Sequence, residues 1–247
     1  MLSNKPLSIL LILLLSVPVC FAQDYKAGSP TVRDTTKGYI TMTRDMQQKL
    51  NPDEALAILL SGNERFVKNQ GIHLNYKEEA EKTTSAQYPY AVLLSCIDSR
   101  TSSEIIFDQG MGDIFNVRIA GNAVNTDVLG SMEFACKVAG AKIVLVVGHS
   151  RCGAVKGACD HVRLGNLTNL ITEIEPAVDS VTGIKENRTS SNESFVKAVT
   201  KKNVHLAVKA IREKSEILRE MEQKKQIIII GAIYDLESGK VELLINE

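Results

Sequence analysis

The sequence predicts an α/β fold: a mainly parallel central β-sheet flanked by helices, with an antiparallel hairpin at its C-terminal edge. Four short apolar runs rich in β-branched residues, Ala91 to Ser95, Ile114 to Ile119, Ile143 to Val147 and Ile227 to Ile230, alternate with stretches of helical spacing. Strands that are apolar throughout belong to a sheet covered on both faces, and their alternation with helices makes that sheet mainly parallel. A fifth run, Val241 to Ile245, follows the turn sequence Tyr234-Asp235-Leu236-Glu237-Ser238-Gly239, so it pairs antiparallel with its predecessor.

From the N-terminus, Lys5 precedes an apolar run from Leu7 through Leu15, interrupted only at Ser8, then Pro18 and the end Cys20-Phe21-Ala22 with small residues at alternate positions. This is the layout of a signal peptide cleaved after Ala22, which implies export, to the periplasm in a bacterium. The run falls short of the roughly 20 apolar residues of a spanning helix, so no stable membrane anchor is expected. Residues 23–50 read as a polar arm, extended to about Ile40 around Gly28 and Pro30 and suited to lying on a partner subunit. Residues 51–247 read as a single α/β domain.

Within that domain Asn51-Pro52-Asp53-Glu54 supplies a cap, a proline fit for the first helical position and acidic residues for the positive helix end, ahead of Leu56, Leu59, Leu60 and Phe66. Further helices are expected over Thr126 to Val138, Leu164 to Pro176 and Leu206 to Met221, from the spacing of their apolar residues. The stretch Asp179 to Asn192, rich in Ser, Thr, Asn and Glu, reads as a loop between two helices.

Composition narrows the partners. The chain has 29 basic and 29 acidic residues, and loss of Lys5 with the signal peptide leaves the mature protein near −1. No basic surface for nucleic acid or an anionic membrane is implied. Of five cysteines, Cys96, Cys136, Cys152 and Cys159 survive cleavage, too few to build a disulfide scaffold of this length. Cys136 and Cys159 fit either buried thiols or a disulfide.

Two clusters sit where an apolar strand has just ended: Cys96-Ile97-Asp98-Ser99-Arg100 and Gly148-His149-Ser150-Arg151-Cys152-Gly153. Parallel sheets place ligands at such strand ends, and neighbouring strands would bring the two loops into one crevice. Two thiolates and an imidazole suit zinc, and three protein ligands leave the fourth tetrahedral position open, as in catalytic sites. Taken alone, His149-x-x-Cys152 is a weak signal, because single cysteines are commonly just buried. A zinc ribbon or a thioredoxin-like site would need a Cys-x-x-Cys pair, which the chain lacks. Asp98 and Arg100, two residues apart, add a charge-assisted pair that keeps a carboxylate ionised beside the metal. Otherwise they would be an ordinary surface ion pair.

The motif pair Cys96-x-Asp98-x-Arg100 and His149-x-x-Cys152 resembles the signature of the β-class carbonic anhydrases. The resemblance continues through Glu104-Ile105-Ile106-Phe107-Asp108, Gly112 to Asn122, Gly130-Ser131-Met132-Glu133-Phe134-Ala135, Asn203-Val204 and Gly231-Ala232-Ile233-Tyr234-Asp235 with Gly239. It implies one Zn2+ per subunit on Cys96, His149 and Cys152, and a catalytic pair of Asp98 and Arg100. Because the aspartate moves onto zinc in some members, it also implies a metal-binding role for Asp98. The implied activity is that of a zinc lyase, the reversible hydration of carbon dioxide to bicarbonate and a proton by zinc-bound hydroxide, in a homodimer or homotetramer. The alternatives are hydrolysis of carbonyl sulfide or carbon disulfide on the same scaffold, or a zinc-stabilised assembly protein without turnover.

Gly148 and Gly153 are expected to let the backbone turn tightly beside the metal. Many members carry a glutamine shortly before the Gly-Asp step; here Gly110 takes that place, so Gln109 stays outside the expected site. The chain has no tryptophan, unlike the bicarbonate-inhibited members whose regulatory pocket uses one. His73, His161 and His205 are available as proton carriers, although each also reads as an ordinary surface histidine.

Overall fold

The computed structural model describes residues 39–72 and 74–245. The expected signal peptide, the arm up to residue 38 and His73 lie outside the described residues. The chain runs α1 (Arg44–Lys49), α2 (Pro52–Val67), α3 (Tyr76–Thr83), β1 (Ala91–Ser95), α4 (Ser103–Ile106), β2 (Ile114–Arg118), α5 (Thr126–Glu133) and β3 (Ile143–His149). It continues through α6 (Gly153–Cys159), α7 (Leu167–Ser180), α8 (Glu193–Lys214), α9 (Glu216–Gln223), β4 (Ile228–Tyr234) and β5 (Val241–Leu244).

The sheet has the order β2-β1-β3-β4-β5, parallel except for the last pair, as the apolar runs predict. From β1 the chain steps outward to β2 and then crosses back to lay β3 on the other side of β1. The strand order therefore reverses between β1 and β3, and the crevice above their C-terminal ends is where such a sheet receives a ligand. In register, Ser95 lies beside Val147, so Cys96 and His149 emerge side by side although they are 53 positions apart in sequence.

Three apolar clusters fix this geometry. One sheet face packs Val92, Leu94, Val144 and Val146 against α5, α8 and α9 through Met132, Val204, Ile211 and Leu218. The other packs Leu93, Ile143 and Leu145 against α2 and α4 through Leu56, Leu59 and Ile106. A third lies beyond the strand ends, where Val155, Ile171, Ile174, Phe195 and Val199 of α6, α7 and α8 close over Cys96 and Cys152. The fully buried strand residues at the centre explain why β1 and β3 read as continuous apolar runs.

Some elements differ from expectation for identifiable reasons. The capping box of Asn51 and Glu54 forms, and α2 starts at Pro52 as predicted. Within the stretch expected to be arm, α1 is a six-residue helix, and its flanking Met42 and Leu50 join the core while Gln47 Nε2 donates to Pro89 O at 2.7 Å and Ala139 O at 2.8 Å. The expected helix from Leu206 begins at Glu193, capped by Asn192, and breaks at Ser215, whose hydroxyl caps α9. The Arg212 guanidinium ties the two helices with 2.7 and 2.8 Å bonds to Glu222. In α7, Pro176 lies inside the helix rather than ending it. The stretch expected as one helix to Val138 finishes as a π-helical turn, Phe134–Val138.

Candidate metal centre

Cys96, His149 and Cys152 converge: one donor atom from each lies within 4.8 Å of the others, and all three residues are buried. The two sulfurs are 3.9 Å apart. Two sulfurs on one tetrahedral zinc, each about 2.3 Å from the ion, stand about 3.8 Å apart, so the spacing fits that metal. His149 donates Nδ1–H to Ser150 O at 2.9 Å, which fixes the tautomer and leaves the Nε2 lone pair for a ligand. That Nε2 is buried and has no hydrogen-bond partner among the described residues. A buried orphan nitrogen beside two sulfurs is costly unless something binds it, and zinc is the ion this donor set suits.

Without metal the paired sulfurs behave as one acid. The S–H of Cys152 supports a negative Cys96, which drops to about 4, while the same contact and burial push Cys152 upward. A thiolate is thus favoured at one of the two sulfurs, the form in which a cysteine binds a metal.

Asp98 stands at the edge of this group, with Oδ2 4.0 Å from His149 Nε2. Arg100 grips it with two side-chain bonds, Nε to Oδ1 at 2.9 Å and Nη2 to Oδ2 at 2.8 Å, and adds its backbone N–H to Oδ1 at 3.0 Å. These bonds, Arg100's side chain first, hold the carboxyl far below the usual carboxylate range, so it only accepts hydrogen bonds. In this arrangement Asp98 is engaged by Arg100, and the three-residue donor group forms without it.

A second layer of residues, given no role by the sequence, supports the two loops. Thr101 Oγ1 donates to Cys96 O at 3.1 Å and Asp98 O at 2.9 Å, and Arg118 at the end of β2 donates to the same two carbonyls at 3.0 and 2.6 Å. Asn122 Nδ2 donates to Leu94 O and Val147 O, clasping β1 and β3 two residues before each ligand. Bulk and periodicity carry no trace of such contacts; only the place of Arg118 and Asn122 in the Gly112-to-Asn122 segment was a signal, and Thr101 had none.

The expected glycine roles need correction. Gly148 does not turn the chain. A Cβ there would lie 2.5 Å from Val204 Cγ2, so its smallness serves the close approach of α8. Gly153 has open space around it, and the left-handed residue of the loop is Arg151, at φ 58°. Gln109 is fully buried and bonded to Phe107 O and Tyr90 OH. Cys136 and Cys159 are free, buried thiols in separate clusters; burial raises them to about 12 and about 11. His161 pairs with Glu175 at 3.1 Å, away from the centre.

The carbonic anhydrase family model matches residues 91–241, which hold both cysteine and histidine loops and strands β1 to β4. The chain is 33% identical over 199 residues to carbonic anhydrase 2 of Mycobacterium tuberculosis, a match spanning 78% of this chain and 93% of that protein. Among solved structures it is similar to a β-carbonic anhydrase of Aspergillus fumigatus, with 25% identity, a TM-score of 0.60, and 68% and 81% of the two chains covered. The fold is shared with the tetrameric β-carbonic anhydrases of Sordaria macrospora, at 22% identity and a TM-score of 0.57 over 68% of this chain and 90% of that one.

Proposed function

This chain belongs to the β-class carbonic anhydrases, and from that premise we propose that Cys96, His149 and Cys152 are its zinc ligands and that Asp98 and Arg100 are its catalytic pair. It catalyses the reversible hydration of carbon dioxide to bicarbonate. The observation that carries the residue assignment is the ionised Asp98 carboxylate, locked by Arg100 and 4.0 Å from the one unpartnered donor atom of the ligand group.

Zinc held by Cys96, His149 and Cys152 would supply the Lewis acidity that makes a water molecule acidic enough to ionise near neutral pH. The chain does the rest. Asp98 accepts a hydrogen bond from the attacking oxygen and turns its lone pair toward the carbon of the substrate. Arg100 keeps that carboxylate ionised and fixed in direction. The Cys96-Ile97-Asp98 backbone is held by Arg118 and Thr101, so ligand and acceptor keep one spacing.

A second copy of the chain is expected at the open edge of β2. There Phe115 and Phe134 stack edge to face at 6.2 Å, and Phe134, Val138, Ile97 and Ile105 are all exposed. An apolar patch of this kind beside a sheet edge is interface material, and the tetrameric Sordaria relatives support a homodimer or a multiple of it. Met1 to Ala22 supports export, and the N-terminal residue of the mature protein tests it.

The deciding experiment measures metal content together with stopped-flow hydration of carbon dioxide, in wild type and Asp98→Asn. One zinc per chain and a loss of about 10²-fold or more in kcat/KM at unchanged zinc content are expected. Wild-type turnover in the variant would remove the catalytic role. Parallel assays with carbonyl sulfide and carbon disulfide identify any wider substrate range.

A further inference from the structure

We propose that Asn203, in the middle of α8, is a positioning residue that aims a backbone N–H at the Cys96 sulfur; this rests on Cys96 being a zinc ligand, as read above. The amide acts through the turn Gly121–Asn122, which links the strand end of β2 to α5.

Gly121 has φ 65° and ψ 17°, and Asn122 follows at φ 59°. Glycine adopts the left-handed region freely and asparagine more easily than most residues, so the turn is permitted by sequence, and contacts from outside fix its position. Part of that support is local: the Asn122 side chain is anchored on the Leu94 and Val147 carbonyls. The Gly121 carbonyl is held from elsewhere. Asn203 Nδ2 donates to it at 2.7 Å from a side chain that is 7% exposed, on a helix 82 positions away. Asparagine is a poor helix former, and burying its amide is unfavourable unless the bond it makes is worth having.

The turn delivers one thing to the site: Gly121 N–H donates to Cys96 Sγ at 3.5 Å. The geometry permits little slack. A Cβ on Gly121 would lie 2.3 Å from Ile174 Cδ1 and 3.2 Å from Ala154 Cβ, so α6 and α7 press the turn from one side while Asn203 draws it from the other. A hydrogen bond to a ligand sulfur withdraws negative charge from it. Two thiolates otherwise blunt the acidity of a bound metal, and this N–H offsets part of that at one of them. Asn203 thereby sets both the direction of the Cys96 sulfur and its charge.

The test uses full-length protein with cobalt(II) in place of zinc. The thiolate-to-cobalt charge-transfer band is expected to move to longer wavelength in Asn203→Leu and Asn203→Asp, with zinc affinity, measured against a competing chelator, weakened about 10-fold. Asn63→Leu is the control. It removes a comparably buried amide that donates to Ile106 O and Gly239 O, so it lowers the melting temperature without moving band or affinity. An unmoved band in folded Asn203 variants, or an equal shift in Asn63→Leu, overturns the proposal. Absence of any thiolate band in wild type overturns the ligand reading beneath it, a separable result. If neither Asn203 variant folds, wild type loaded with 113Cd and labelled with 15N-glycine decides: scalar coupling from the Gly121 amide proton to the metal supports the proposal, and its absence refutes it.

Discussion

Replacing Asn122 tests whether one side chain holds the two strands that carry the ligands. Its amide donates to Leu94 O at the end of β1 and to Val147 O in β3, in a residue 3% exposed. Removing a buried donor costs about 1–3 kcal/mol per acceptor left behind, so Asn122→Ala loses about 2–6 kcal/mol from the two bonds. Alanine at φ 59° adds about 1 kcal/mol of backbone strain, which glycine avoids. Asn122→Gly is therefore expected to be destabilised by about 2–6 kcal/mol and Asn122→Ala by about 3–7, against a total stability of about 5–15 kcal/mol. At about 2–4 °C per kcal/mol for a domain of this size, a 4 kcal/mol loss lowers Tm by about 8–16 °C. Urea unfolding at fixed protein and free-zinc concentrations gives the free energies directly, because both ligands and subunits shift apparent stability. Variants within about 0.5 kcal/mol of wild type, or a glycine variant less stable than the alanine one, would refute the clasp and the backbone argument respectively.

Gly148→Ala forces a Cβ to 2.5 Å from Val204 Cγ2 and is expected to cost about 1–3 kcal/mol; combined with Val204→Ala it should cost less than the sum of the two single changes, as a double-mutant cycle by denaturant unfolding will read. Stripping the metal with a chelator removes a ligand of the folded state alone; relative to free zinc at 100 times Kd the loss is about 2.7 kcal/mol, seen as a Tm lower by about 5–11 °C and restored by zinc, whereas an unchanged Tm would mean that the ion is not bound at this centre. Glu175 is held below the usual carboxylate range by Arg163 and then His161, so its contribution is present at neutral pH and is lost as pH falls through its folded-state value. The stability gap between wild type and Glu175→Gln should accordingly close on acidification in pH-resolved melting curves, and a gap independent of pH would contradict the pairing.

The parts of this molecule that were legible in the sequence are those written in local pattern. Uniform apolar runs exposed β1 and β3 because both sheet faces are covered, and Asn51-Pro52-Asp53-Glu54 announced α2 because a cap, a proline and acidic residues in succession are a local signal. The convergence of Cys96, His149 and Cys152 was legible because residues able to bind a metal directly follow two such runs. Less visible were α1, whose role is to deliver Gln47 to two distant carbonyls, and the start of α8, where polar residues precede the apolar face. Gly148 was misread for a similar reason: glycine signals turning or close approach alike, and only the position of Val204 separates them. Asn122, Arg118 and Thr101 escaped because their work is done on main-chain carbonyls, which every residue possesses and no side-chain pattern marks.

The strand order has a consequence for how the ion is acquired. His149 and Cys152 are near neighbours in the chain, but Cys96 joins them only once β1 and β3 lie in register. In an unfolded chain this donor set is therefore split, and its three members come together only when the sheet is assembled. An ion held by all three is a lock on a finished scaffold, fastening two strands that have already found their register.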